Sequence, residues 1–198
     1  GVCVMAISYP RSFLTHTGVA QIELRARNAV AYSQSPFTFA GQAHSYSGQS
    51  WSADVTLPPM HNSDAERWVA WLISLRGQFG TFLMGDTLNN SPSGTSTSAV
   101  ITGTTGESSV DVTMTGTLLA GDYIQLGSSD SSTLHKVLVD KSGSGTLEIW
   151  PALRSNKSAE SANLTNTQGK FRLATNETSW SVNNASIYGI SFSAMEAI

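Results

Sequence analysis

A chain of 198 residues with a formal net charge of -3 and no Lys/Arg cluster lacks the electrostatic footprint needed to grip nucleic acid or an anionic membrane. Charged residues make up only 13%, well below the ~25% usual in globular domains. Ser, Thr, Asn and Gly must therefore cover the surface, which suits a permanent assembly and equally a secreted β-protein. No apolar run approaches the roughly 18 residues of a membrane-spanning helix, and the single cysteine, Cys3, excludes an internal disulfide framework. The opening residues have no positive region and are too short for a signal peptide. A Gly start fits removal of an initiator Met, and Met5 as the true start fits as well.

Residues 21–27 alternate, with Ile22, Leu24 and Ala26 on one face and Gln21, Glu23, Arg25 and Arg27 on the other. This predicts a half-buried strand. A second alternation places Trp51, Ala53, Val55 and Leu57 together, and Pro58-Pro59 ends it because proline cannot donate to a ladder. One helix follows, at about 63–76. Ser63 and Glu66 have the spacing of a capping box. Trp68, Trp71, Leu72 and Leu75 form an apolar stripe that should pack on the core sheet. Gly77 supplies a left-handed stop, and residues 81–84 read as a short strand.

Residues 89–105, rich in Asn, Ser, Thr, Gly and Pro, and residues 155–169, rich in Asn, Ser, Ala, Thr and Gln, read as loops or linkers. Between them, 106–154 carries four short strands joined by turns, about the size of a small barrel. Val112, Ile124, Val137, Val139, Leu147 and Ile149 would form its core. After the second linker, Phe171 and Leu173, then Trp180 and Val182, then Tyr188, Ile190 and Phe192 mark three more strands. These are too few to fold alone. The expected fold is mainly β: a β-sandwich core (1–88 plus 170–198) with one packed α-helix, and an inserted small β-barrel-like domain (106–154). An inserted domain leaves and returns at neighbouring points. Residues 84–86 and 170–172 should then adjoin, and the insert should be removable without unfolding the rest.

No catalytic, cofactor-binding or metal site is expected. His16, His44, His61 and His135 have no partners at ligand spacing, and no G-x-S-x-G elbow occurs. Glu23 and Asp54 could form a carboxylate pair if their strands adjoin, but polar strand faces more simply hold an ion pair. The five tryptophans fall on apolar phases or at strand ends, which favours core placement over a sugar-stacking platform. Within the insert, Tyr123 and Trp150 are the large aromatics available to a binding surface.

The ordered set of features carries a resemblance. It comprises Tyr32-Ser33-Gln34-Ser35-Pro36-Phe37, then Trp51 to Pro58, then the helix with Ala65-Glu66 near its start. Gly77 to Leu83 follows, and the chain closes on Tyr188 to Glu196. In this order the chain resembles the minor tail proteins of lambda-like long-tailed bacteriophages, the distal tail protein family, over about 1–88 and 170–198. Residues 120–126 and 147–154 are also similar to phage tail proteins, although the shortest family members lack such an insert. The resemblance implies a non-enzymatic structural protein of the virion tail tip, assembled in the host cytoplasm. It would form a homo-oligomeric ring, a hexamer in the family, around the tail channel, touching the tail tube protein and the hub or baseplate proteins. The alternative is a receptor- or carbohydrate-binding tail protein acting through the insert. A third option is a hydrolase using Glu23 and Asp54.

Overall fold

The computed structural model describes residues 7–198, so Cys3 and Met5 lie outside the described residues. The chain is mainly β, with one α-helix and a barrel-like sheet among those residues. In order the elements are β1 (Gln21–Gln34), β2 (Gly41–Thr56), β3 (Met60–His61), α1 (Asn62–Ser74), β4 (Thr81–Met84), β5 (Ala99–Gly103), β6 (Ser109–Met114) and β7 (Thr117–Leu118). Then come β8 (Tyr123–Leu126), β9 (Thr133–Val137), β10 (Lys141–Ser142), β11 (Gly145–Trp150), β12 (Lys157–Ala162), β13 (Gly169–Leu173), β14 (Trp180–Val182) and β15 (Ile187–Glu196).

The first sheet runs β1-β2-β15-β13-β4, with β3 and β14 paired to the early part of β15. Its inner face is the alternation read from the sequence: Trp51, Ala53 and Val55 are buried, while their neighbours Ser52 and Asp54 face out. Helix α1 covers that face, and the stripe Trp68, Trp71, Leu72 and Leu75 is buried throughout. The segment before β1 closes the layer. Phe13 is buried and lies edge-on to Trp68 and Trp71, and the Ser12 carbonyl accepts from the Trp71 indole at 3.0 Å. An indole N–H buried without a partner would be costly, so this contact fixes where 12–13 must sit.

The predicted capping box is not formed. The helix begins at Asn62 with His61 as N-cap and no side-chain cap. Its start is drawn back because β3 pairs with β15, His61 opposite Ile187 and Met60 opposite Tyr188. Ser63 therefore falls inside the first turn, and Glu66 accepts instead from the Tyr188 hydroxyl at 3.1 Å. The stop is left-handed at both Arg76 (φ 54°) and Gly77 (φ 65°).

The second sheet has six strands, ordered β12-β5-β6-β11-β9-β8. Gln125 and Asn163 exchange two backbone hydrogen bonds of 2.9 Å, joining β8 to the end of β12 and nearly closing the barrel. Ile101, Val112, Ile124, Val137, Leu147 and Ile149 fill its interior. Val139, expected among them, lies beyond the end of β9 and is exposed.

The two segments read as linkers carry structure: β5 lies within 89–105 and β12 within 155–169, and they pair with each other. Ala99 and Ile101 of β5 are buried in the barrel core, and buried polarity orders the stretch just before them. Asp122 is buried and accepts backbone N–H bonds from Ser93, Gly94 and Leu119 at 2.7, 3.1 and 2.8 Å. A buried carboxylate needs such donors, and here they pin a Ser/Gly-rich segment that composition alone reads as loose. The barrel strands thus span 99–162, wider than 106–154. The chain leaves and re-enters the first sheet side by side, with Met84 opposite Gly169 and Leu83 opposite Lys170.

Candidate functional site

β1 and β2 continue far past the sheet they belong to. β2 pairs with β15 only through Ser52–Thr56, whereas it pairs with β1 out to Gly41 opposite Gln34. The outer hairpin, residues 28–48, is exposed along nearly its whole length. Among the described residues, its strands pair only with each other, so both edges of this arm are open. It contains no Lys, Arg, Asp or Glu. Natural sheet edges are usually guarded by charge, proline or shortness, and this one is not. An isolated two-stranded hairpin is marginal in water.

The arm has two unlike faces. Side chains alternate along a strand, so Val30 and Tyr32 continue the side of β1 that carries Leu24 and Ala26. Tyr32 lies across Gly41, where any side chain would collide with the ring. The tip is an ordered turn. Ser35 N–H donates to the Ala40 carbonyl at 3.0 Å and Phe39 N–H to the Ser35 carbonyl at 3.0 Å, and Phe39 sits at φ 56°. This turn holds Phe37 and Phe39 out into solvent, at 90% and 74% of full exposure.

At the arm's root the barrel meets the first sheet. Trp51 is buried there, with the Trp150 ring edge-on at 4.6 Å and the Trp51 indole donating to the Leu134 carbonyl at 2.9 Å. Tyr123 is buried against Trp51, and Trp150 is half-buried with its indole donating to Asn28 at 2.7 Å. Both rings therefore face the junction between the two sheets, packed against Trp51 and lining the space beside it. Arg154 completes the seam, donating to Glu196 at 2.8 Å and to the Gln49 carbonyl at 2.7 Å. Beside this seam a shallow hollow of about 340 Å3 opens between the arm root and the barrel. Its walls are Leu24, Ala26, Trp51, Tyr123, Leu138 and Trp150. Leu138 is half exposed, and Lys136 closes one end with its ammonium 4.2 Å above the Tyr123 ring.

Glu23 and Asp54 are directly opposite each other, and Arg25 bridges them at 2.8 and 2.5 Å. The Ser193 hydroxyl also donates to Asp54, and it leads Arg25 in holding that carboxyl below the usual range. A general acid needs the opposite shift, so the ion-pair reading fits this cluster. His135 is buried inside the barrel, with Nδ1 2.7 Å from the Pro151 carbonyl and Nε2 3.0 Å from the Thr133 hydroxyl. Loss of solvent pushes its pKa down to about 4. Among the described residues no three His, Cys, Asp or Glu gather to hold a metal. Trp180 is 42% exposed, against the core placement expected of it, because β14 is a three-residue strand at the sheet margin.

The arm was the feature sequence reading missed. Its signal was the absence of charge over 28–50, with Val30, Tyr32, Phe37, Phe39 and Tyr46 set among Ser, Gln and Gly. No protein-family model matches this chain, and no curated protein matches it.

Proposed function

We propose that this chain is a structural, non-enzymatic subunit of a bacteriophage tail tip. It forms a homo-oligomeric ring around the tail channel that joins the tail tube to the hub or baseplate. The observation that carries this reading is the arm: a long, uncharged β-ribbon with two open edges and exposed aromatics at its tip. Such a ribbon is a liability on a lone molecule and an asset in a closed assembly, where neighbouring copies cover its edges. The ordered sequence resemblance to the distal tail protein family supports the same assignment. The exposed apolar residues and the low surface charge fit a protein that spends its life mostly covered.

Light scattering and native mass measurement of the purified chain test the ring, and detection of the chain in purified virions tests its place. The expected outcome is a closed oligomer and a virion component. A strict monomer at high concentration, absent from virions, overturns the proposal.

A further inference from the structure

Two features are left unfilled, a knob and a socket. The knob is the ordered tip with Phe37 and Phe39 exposed. The socket is the hollow at the arm root, walled by Leu24, Ala26, Trp51, Leu138 and Trp150. We propose that the tip of one copy inserts its phenylalanines into the arm-root hollow of the next copy. This rests on the ring reading above and names the contact that would hold it.

The chain cannot satisfy itself. The hollow includes Asn28 at the arm's base, and the tip lies eight to ten residues further along a paired ribbon. At ~3.3 Å per residue that is about 25–30 Å away along the ribbon. A paired ribbon does not fold back on its own root, so the occupant must come from another molecule. A second copy of this chain carries a fitting segment. The tip is apolar and uncharged, so seating it buries no carboxylate against the apolar wall. The hollow, at about 340 Å3, is at the small end of the range that ligand-sized groups occupy. Its aromatic walls offer edge and face contacts to an incoming ring. Aromatic anchors seated in pockets are where binding energy concentrates. The tip's internal hydrogen bonds present the rings already ordered, which lowers the entropy cost of docking. Knob and socket are different patches, so the contact can run head-to-tail and close a ring, whereas reciprocal exchange between two copies would stop at a dimer and overturn the ring reading.

The test uses the full chain. Phe37→Ser with Phe39→Ser should leave the far-UV spectrum unchanged, because both rings are solvent-exposed in the single chain, while the melting temperature loses the concentration dependence that assembly confers. It should weaken self-association by about tenfold or more per ring removed. Leu138→Asp, on the socket side, should do the same. In a Cys3→Ser background, a Phe37→Cys chain mixed with a Leu138→Cys chain should oxidise to a covalent pair far more readily than either chain alone. If the unaltered chain is monomeric, the ring reading itself fails. If the unaltered chain assembles and both surface variants assemble equally well, only the tip-to-hollow contact is overturned. If the variants still form the ring but fail to enter virions, the tip serves a different tail protein and the proposal is overturned in that partner's favour.

Discussion

Cutting out the barrel is the most informative perturbation, because the sequence and the structure expect opposite results. Met84 pairs with Gly169. Removing 86–167 would leave Gly85-Gln168 as a two-residue loop with glycine first, a geometry that hairpins favour. The cut is therefore easy to close, and polar flanking segments make it look harmless. The structure says otherwise, because Tyr123 and Leu134 belong to the main hydrophobic cluster and Trp51 is covered from the barrel side. Exposing about 200 Å2 of Trp51 and its surroundings at ~25 cal/mol per Å2 costs about 5 kcal/mol. Glu196 would also lose Arg154, but it regains water, so that loss adds little. Against a total stability of about 5–15 kcal/mol, the shortened chain should melt on the order of 20 °C lower or fail to fold. Adding Trp51→Thr to the shortened chain should reduce its aggregation but recover little stability, since an indole exposed in both the folded and the unfolded chain adds little to the difference between them. Far-UV circular dichroism on heating, with light scattering, reads both effects. A shortened chain that melts within a few degrees of the full chain, with Trp51 intact, refutes the argument.

Trp71→Ala should cost about 3–5 kcal/mol, since it empties a site where Phe13, Trp68, Phe82 and Phe192 converge and leaves the Ser12 carbonyl without its donor; chemical denaturation measures it. Asp122→Ala should destabilise the barrel by about 1–3 kcal/mol, as three backbone N–H groups lose the buried carboxylate that accepts from them, and amide exchange should rise first at 93–94. His135 titrates at about 4 when folded and near its ordinary 6.5 when unfolded. The unfolded chain therefore binds the proton first, and stability should be fully present above about pH 6.5 and fall as pH drops toward 4. The loss should be about 2 kcal/mol by pH 5, and His135→Gln should flatten that slope in denaturation curves taken between pH 7 and 5.

Legibility followed the kind of force at work. Where apolar burial decides, as in the helix stripe Trp68, Trp71, Leu72 and Leu75 or the alternation from Trp51 to Leu57, spacing alone places the residues. The return of the chain beside Met84 followed from the topology of insertion. Where polar contacts decide, composition misled. Ser93 and Gly94 are ordered by the Asp122 carboxylate, a partner nearly thirty positions away that no local pattern reveals. The weak Ala99–Ile101 alternation of β5 was hidden among Ser and Thr. The arm was illegible for another reason: both its faces are exposed, so no burial imposes an alternation to read. Tyr123 and Trp150 were recognised as important aromatics, but a sequence cannot tell a ring that faces a ligand from one that faces another sheet.

The position of that ring pair suggests what the barrel does for the arm. A bare ribbon would swing about its root, and a knob that swings is a poor anchor. Here the barrel braces both strands at the root. Trp150 donates to Asn28 on β1, Ala152 N–H donates to the Gln49 side chain on β2 at 2.8 Å, and Arg154 donates to the Gln49 carbonyl. The register shift lies just beyond these contacts, between Asn28 and Val30, so the ribbon can change direction only past the brace. Trp150→Ala removes one clamp and the edge-on ring over Trp51, while Trp51 keeps its bond to Leu134 and the barrel keeps Leu147 and Ile149. The fold should survive, and the arm should loosen. Amides of 28–34 and 41–49 should exchange roughly tenfold faster, in step with the loss of about one hydrogen bond's worth of local stability, while those of β6 and β11 stay as they were. Equal exchange along the arm in the two proteins would show that the ribbon is stiff on its own and that the barrel is carried for some other purpose.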